Sequence, residues 1–184
     1  DVDGYQTVWS KKLIKNKSFD LPTDDEIKAL IGWNDDKYEA GTGYGDVQTK
    51  GQTLIDNKVF DYNVNYKKYK VTVNGIQKED GTTESRDYYA RFGETFDFSD
   101  LADTKTCDKT NNKYTKFAKL TTKATVVGGS TFDLTAKINS AMAATLKDGV
   151  SATANYVDNS AKITFVFTGI THGDVSQTIE KGTT

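Results

Sequence analysis

Only two residues in this 184-residue sequence have the reactivity on which chemistry near neutral pH usually draws, and each occurs once: Cys107 and His172. His172, in Thr171-His172-Gly173-Asp174, is the sole imidazole, and so the one side chain whose ordinary pKa suits acid–base work at that pH. The same tetrapeptide also reads as a turn between strands, and no Ser or Cys nucleophile with a partner pattern accompanies it. One Cys cannot close an internal disulfide, and one Cys with one His cannot supply the three or four ligands of a zinc site. Cys107 falls in a polar stretch and reads as an exposed thiol, incidental or available for pairing between chains.

Carboxylates are plentiful, with 26 Asp and Glu, but no spacing selects a pair for glycoside hydrolysis. Asp1-Val2-Asp3-Gly4 opens like a calcium loop, yet the later oxygen ligands and the closing Glu are missing. Asp35-Asp36 and the acids and amides from Asp56 to Asn65 are possible hard-cation donors that serve equally as solvated side chains. The expectation is a chain without catalytic residues, metal or cofactor. Lys, Asn and Asp are common enough that an isopeptide cross-link stays open. Trp9, Trp33, Tyr38 and Tyr44 are the candidate binding residues: flat exposed rings are what a pyranose packs against, and the alternative is a place in a small β-rich core.

Charge narrows the partners. With 24 basic and 26 acidic residues interleaved, the net charge is −2, which gives no footprint for nucleic acid or anionic lipid. The longest apolar runs are a few residues, far short of the roughly 20 that a membrane span requires, so no membrane insertion is expected. Asp1 is not Met and no charged-then-apolar leader precedes it, which suggests a processed or excised chain. Thr is the commonest residue, at 26, and a Thr-rich, Pro-poor texture favours strands joined by polar turns.

The elements that would position these residues can be read from periodicity. Tyr5, Thr7 and Trp9 alternate over a strand from Tyr5 to Ile14. Thr23 and Glu26 form a capping box for a helix from about Asp24 to Ile31, which Gly32 ends in the left-handed region. Asn34 to Gly51 reads as a surface loop. Phe60, Tyr62, Val64 and Tyr66 alternate in one parity and Tyr69, Val71 and Val73 in the other, with a bulge or turn at Lys67-Lys68. Asn74-Gly75 and Asp80-Gly81 read as turns of an antiparallel meander that resumes at Tyr88, Ala90 and Phe92. Phe96 and Phe98 suggest another short strand.

The stretch 102–113 is nearly free of apolar residues and is the candidate boundary between two subdomains of an otherwise single β-rich domain, 1–184. Tyr114 to Val127 reads as one or two strands. Asp133 is placed to cap a second helix, Leu134 to Lys147, with Leu134, Ile138 and Met142 on one face. Val150 to Tyr156 and Ala161 to Phe167 alternate about Asp158-Asn159-Ser160 as a hairpin. A last strand through Val175, Gln177 and Ile179 offers an edge for assembly.

Residues 131–168 carry a resemblance. Ile138-Asn139, Gly149-Val150-Ser151-Ala152 and Lys162-Ile163-Thr164-Phe165 resemble the Ile-Asn helix–hairpin motif of flagellins, hook-associated proteins and phage tail and fibre proteins. The helix here runs longer than that family's usual form. Tyr69 to Gly75 and Arg91 to Phe96 look like β-modules of bacterial surface proteins. The resemblance implies an exposed, non-catalytic module of an extracellular filament, a surface protein or a virion.

Together these readings give an α+β protein, mainly antiparallel and sandwich-like, with two short helices. The expected role is structural or adhesive, at a bacterial surface or filament. A phage virion component and a carbohydrate-binding module are the alternatives. The partners would be other protein subunits or a host-surface ligand, a glycan among them.

Overall fold

The computed structural model describes residues 7, 9–108, 113–166 and 175–181. In chain order the elements are β1 (Ser18–Phe19), α1 (Asp24–Ile31), β2 (Tyr38–Gly43), β3 (Gln52–Thr53), β4 (Asn63–Tyr66), β5 (Lys68–Gln77) and β6 (Thr83–Arg91). A 3-10 turn (Ser99–Asp103) leads into β7 (Lys105–Asp108), β8 (Lys113–Thr122), α2 (Ser140–Lys147), β9 (Val150–Asp158), β10 (Ser160–Phe165) and β11 (Val175–Glu180). The class is α+β, largely strand, with two short helices. Among the described residues no helix is long and apolar enough to cross a membrane.

The chain divides into two compact units, Asp1–Lys67 and Lys68–Thr184. The border therefore falls where the apolar alternation changes parity, at Lys67-Lys68, and not at 102–113. That polar stretch contributes β7, an edge strand paired with β8 from Lys105↔Lys116 to Asp108↔Lys113. An edge strand needs few apolar side chains, and in β7 Thr106 is the buried residue.

In the first unit α1 forms as its sequence requires. Thr23 Oγ1 accepts from the Glu26 amide at 3.3 Å, Glu26 Oε2 accepts from the Thr23 amide at 2.7 Å, and Gly32 closes the helix at φ 60°. These donors hold the Glu26 carboxyl below its ordinary range. The helix buries Ile27 beside Leu21 in sequence terms, and both are core residues of this unit with Tyr38. The 34–51 stretch is not all loop, since β2 pairs antiparallel with β4 through Tyr38↔Tyr66, Glu39↔Asn65 and Ala40↔Val64. Two glycines in β2 hide that pairing from a periodicity reading, and Gly41 is required: a Cβ there would overlap the Asn63 carbonyl. Phe60 and Tyr62 precede β4 rather than belonging to it. Of the strand expected over Tyr5 to Ile14, Tyr5 lies outside the described residues, and Thr7 and Trp9 to Ile14 form no strand.

The second unit is a five-stranded sheet ordered β6-β5-β9-β8-β7. It is a mixed sheet: β5 and β9 run parallel through Val71↔Val150 to Asn74↔Thr153, and the other neighbours are antiparallel. One face is apolar. Tyr69, Val71, Val73, Ile76, Val150, Ala152 and Ala154 cluster there with Phe96, Leu101, Phe132, Leu134, Ile138, Met142 and Leu146.

Several expectations change in this unit. Asn74-Gly75 is not a turn: Gly75, at φ 74°, sits in a bulge within β5 that returns Ile76 to the buried face. The β5–β6 turn is at Asp80-Gly81, where the Lys78 amide donates to the Thr82 carbonyl at 2.9 Å. Phe96 and Phe98 form no strand; they stack at 5.8 Å, and Phe96 is buried in the core.

The second helix starts at Ser140, capped by Asn139 Oδ1 accepting from the Met142 amide at 3.0 Å. Ile138 cannot be helical because its backbone is committed elsewhere: its amide donates to the Glu94 carbonyl at 2.9 Å and its carbonyl accepts from the Gly93 amide at 2.8 Å. Asp133 closes a local turn on Thr135 instead of capping the helix.

The β9–β10 hairpin is also absent. Because β5 and β8 already flank β9, β10 leaves the sheet and pairs antiparallel with β11, from Ser160↔Glu180 to Phe165↔Val175. Asn159 is the point of departure. Its amide donates to the Tyr114 carbonyl at 2.7 Å, its carbonyl accepts from the Lys181 amide at 2.7 Å, and its Nδ2 donates to Glu180 Oε1 at 3.3 Å.

Ile138, fully buried where an irregular segment crosses the sheet, gives a direct test. Ile138→Ala should lower unfolding free energy by about 2–5 kcal/mol, against about 1 kcal/mol for the cap change Asn139→Ala. Urea midpoints would check both values.

Candidate functional site

The aromatic residues of the first unit come together in two groups. Trp33, Tyr38 and Tyr66 form a continuous run of tilted rings, with centroids 5.3 Å apart at 31° for Trp33–Tyr38 and 5.2 Å apart at 44° for Tyr38–Tyr66. The β2–β4 register places Tyr38 directly opposite Tyr66, and the turn after α1 brings Trp33 onto Tyr38. Tyr38 is only 8% exposed, so it supports the two outer rings and offers no face of its own. Two cations lie over these rings: Lys28 Nζ at 5.1 Å from Trp33, and Lys37 Nζ at 4.9 Å from Tyr38 and 5.9 Å from Tyr66. The Tyr38 hydroxyl beside it holds the Lys37 ammonium above its ordinary range. Trp33 Nε1 donates to Asp35 Oδ1 at 2.7 Å, fixing the indole plane.

Tyr44 joins a different pair, edge to face with Tyr62 at 4.9 Å. Its hydroxyl donates to the Pro22 carbonyl at 3.1 Å, while Tyr62 donates to Asp24 Oδ1 at 3.0 Å. Burial first, and then the nearby Asp24 carboxylate, push the Tyr62 phenol up to about 12. Tyr44 is raised by the same burial, with Asp24 and Glu26 adding to it.

Both groups border one groove of 1410 Å³ in this unit, with Trp9, Tyr38, Tyr44, Tyr62 and Tyr66 among its walls. Trp9 is 37% exposed. Of the four aromatic candidates, three reach the groove, and Trp33 reaches it only through Tyr38. Tyr62 and Tyr66 give no binding signal in the sequence, because their alternation with Phe60 and Val64 reads as strand periodicity. Lys11, Lys12, Lys15 and Lys17, four basic residues in seven, also line it and were the overlooked signal.

The assembly candidates fall on β11. Val175, Gln177 and Ile179 pair with Phe165, Ile163 and Ala161 of β10, so the expected last strand is present. Within the described residues this is an isolated two-stranded ribbon, and Ile163 and Phe165 on it, with Val166 just beyond, are large exposed apolar residues. Glu180 anchors its base, accepting from Lys105 Nζ at 3.3 Å.

His172 and Asp1 to Gly4 lie outside the described residues. Cys107 is half-buried in β7 opposite Tyr114, and not in a linker. Its thiol is the main cause of a raised Tyr114 phenol. Among the described residues no group of three or more His, Cys, Asp or Glu is placed to hold a metal ion.

Tyr88 resembles Tyr62: burial and a 2.9 Å hydrogen bond to Asp100 Oδ2 push its phenol up to about 12. Both phenols bind their proton more tightly folded than unfolded. The stability they contribute is therefore complete below an unfolded pKa of about 10 and is lost as pH rises from there through the folded value. Spectrophotometric titration at alkaline pH should show two tyrosines ionising about two units above the ordinary tyrosine value, and Asp24→Asn should move one of them back toward it.

Compared with protein-family models, with curated proteins and with solved structures, the chain matches none.

Proposed function

We propose that the chain is a non-enzymatic structural or adhesive module of an extracellular surface protein or filament, and that it acts by contact between protein subunits through the β10–β11 ribbon. The observation that carries this reading is the ribbon itself. An isolated two-stranded ribbon is marginal in water and gains independent stability from a third strand or an apolar partner. Here both backbone edges are open among the described residues, and Ile163 and Phe165 are 41% and 53% exposed.

Natural edge strands are usually blunted by charge, proline or a bulge. From Val175 to Ile179 the sequence has no charge and no proline, and the pairing with β10 runs without a register shift. Glu180, the acid that follows, is already engaged by Lys105 and Asn159 at the ribbon's base. Two open edges allow each copy to pair on both sides, a head-to-tail geometry that extends into filaments when it does not close into a ring.

The test is light scattering after size exclusion over a wide concentration range, comparing the chain with the double variant Ile163→Lys and Phe165→Lys. Both positions are exposed, so the fold should survive the change. The unaltered chain should associate with rising concentration, and the variant should show a dissociation constant about tenfold higher or more, roughly 1.4 kcal/mol. A chain that stays monomeric throughout, or a variant that associates equally well, contradicts the reading.

A further inference from the structure

The groove of the first unit supports a second role that does not depend on the ribbon. We propose that it binds a linear polysaccharide bearing carboxylates, a uronate chain. Its charge is the first argument. Lys11, Lys12, Lys15, Lys17 and Lys58 line the groove against Asp56 and Asp61, a surplus of three positive charges in a chain whose net charge is −2. Lys15 is engaged with Asp56 at 3.6 Å; among the described residues Lys11, Lys12 and Lys17 have no carboxylate partner. Together these lysines give the groove a basic rim. An anionic occupant is what such a rim attracts.

Size and surface narrow the class. At 1410 Å³ the groove exceeds the roughly 300–1,000 Å³ usual for a small-molecule site, so it suits a chain of several units. Its walls combine flat rings with polar edges. Phe19 and Phe60 meet edge to face at 6.5 Å, Lys58 Nζ sits 4.8 Å from the Phe60 ring, and Tyr44 and Tyr62 form a second edge-to-face pair.

A pyranose ring has an apolar C–H face to pack on such rings and hydroxyls to meet the amides of Asn57 and Asn63. A uronate adds one carboxylate to each sugar, an anion for the lysines that line the groove. An acidic peptide would satisfy the lysines but brings no comparable flat face to the rings. Tyr62 is already tied to Asp24, so the carboxylates would run along the lysine side and away from α1.

The test titrates oligogalacturonate into the full chain, followed by calorimetry and Trp fluorescence, with a neutral cello-oligosaccharide and an oligoglutamate peptide of equal length as controls. The uronate should bind, bind more weakly in about 0.5 M salt, and lose about tenfold or more in affinity with Lys11→Glu plus Lys12→Glu. Trp9→Ala should also weaken it. All three positions are exposed, and circular dichroism would confirm that the variants fold.

Absence of uronate binding overturns the proposal, as does equal binding of the neutral sugar. Tighter binding of oligoglutamate would reassign the groove to acidic peptides and equally overturn it. The Ile163→Lys, Phe165→Lys variant should keep its uronate affinity, so failure here is distinguishable from failure of the ribbon reading.

Discussion

The second unit depends on the burial of one face of β5. Val71, Val73 and Ile76 have no exposed surface, and Gly75 allows the bulge that keeps Ile76 in line with the other two. Side chains of this size each contribute about 1.5–3 kcal/mol when fully buried. They can do so only if the chain covers that face. The parallel pairing of β5 with β9 ensures this, because parallel neighbours need a long crossover. Everything from β6 to α2 lies between the two strands in sequence, and it supplies Phe96, Leu101, Phe132, Leu134, Ile138, Met142 and Leu146 to the cover. Tyr156 ties the far end, accepting from the Gln77 amide at 3.0 Å and bonding to Thr104 Oγ1 at 2.6 Å.

The same constraint produces the ribbon. With β5 on one side and β8 on the other, β9 has no free edge, and the strand that follows must leave the sheet. Asn159 makes the change in a single residue by giving its amide to one ladder and its carbonyl to the next. Its side chain is buried and engages Glu180, which explains why an Asn serves where the sequence suggested only a turn. Its own amide and carbonyl are both paired, so the change of sheet leaves neither backbone group of this buried residue unsatisfied. The ribbon is thus a consequence of a filled sheet, and among the described residues its two edges, like those of β6 and β7, have no further strand paired to them.

Local signals were legible in the sequence and long-range commitments were not. The capping box of Thr23 and Glu26, the glycine stop at Gly32 and the alternation of β11 act within a few residues, and each forms as read. The helical pattern overshoots the second helix because Leu134 and Ile138 do fall at helical spacing with Met142 and are buried with it. What the spacing could not show is that the Ile138 backbone bonds to Gly93 and Glu94, some forty-five residues away. Strand β2 was hidden for a similar reason, since its partner β4 supplies the order and its glycines remove the periodicity. In the candidate site, the value of grouping Trp33 with Tyr38 was legible from proximity. Tyr62, Tyr66 and the lysines from Lys11 to Lys17 required the fold to bring three separate segments to one groove.

Contact through the ribbon would show itself in amide hydrogen exchange measured as a function of protein concentration. Amides of β10 and β11 should exchange quickly in dilute solution and gain protection as concentration rises, while those of β5 and β9 stay protected throughout. Ribbon amides whose exchange does not change with concentration, or protection that appears elsewhere instead, would contradict it.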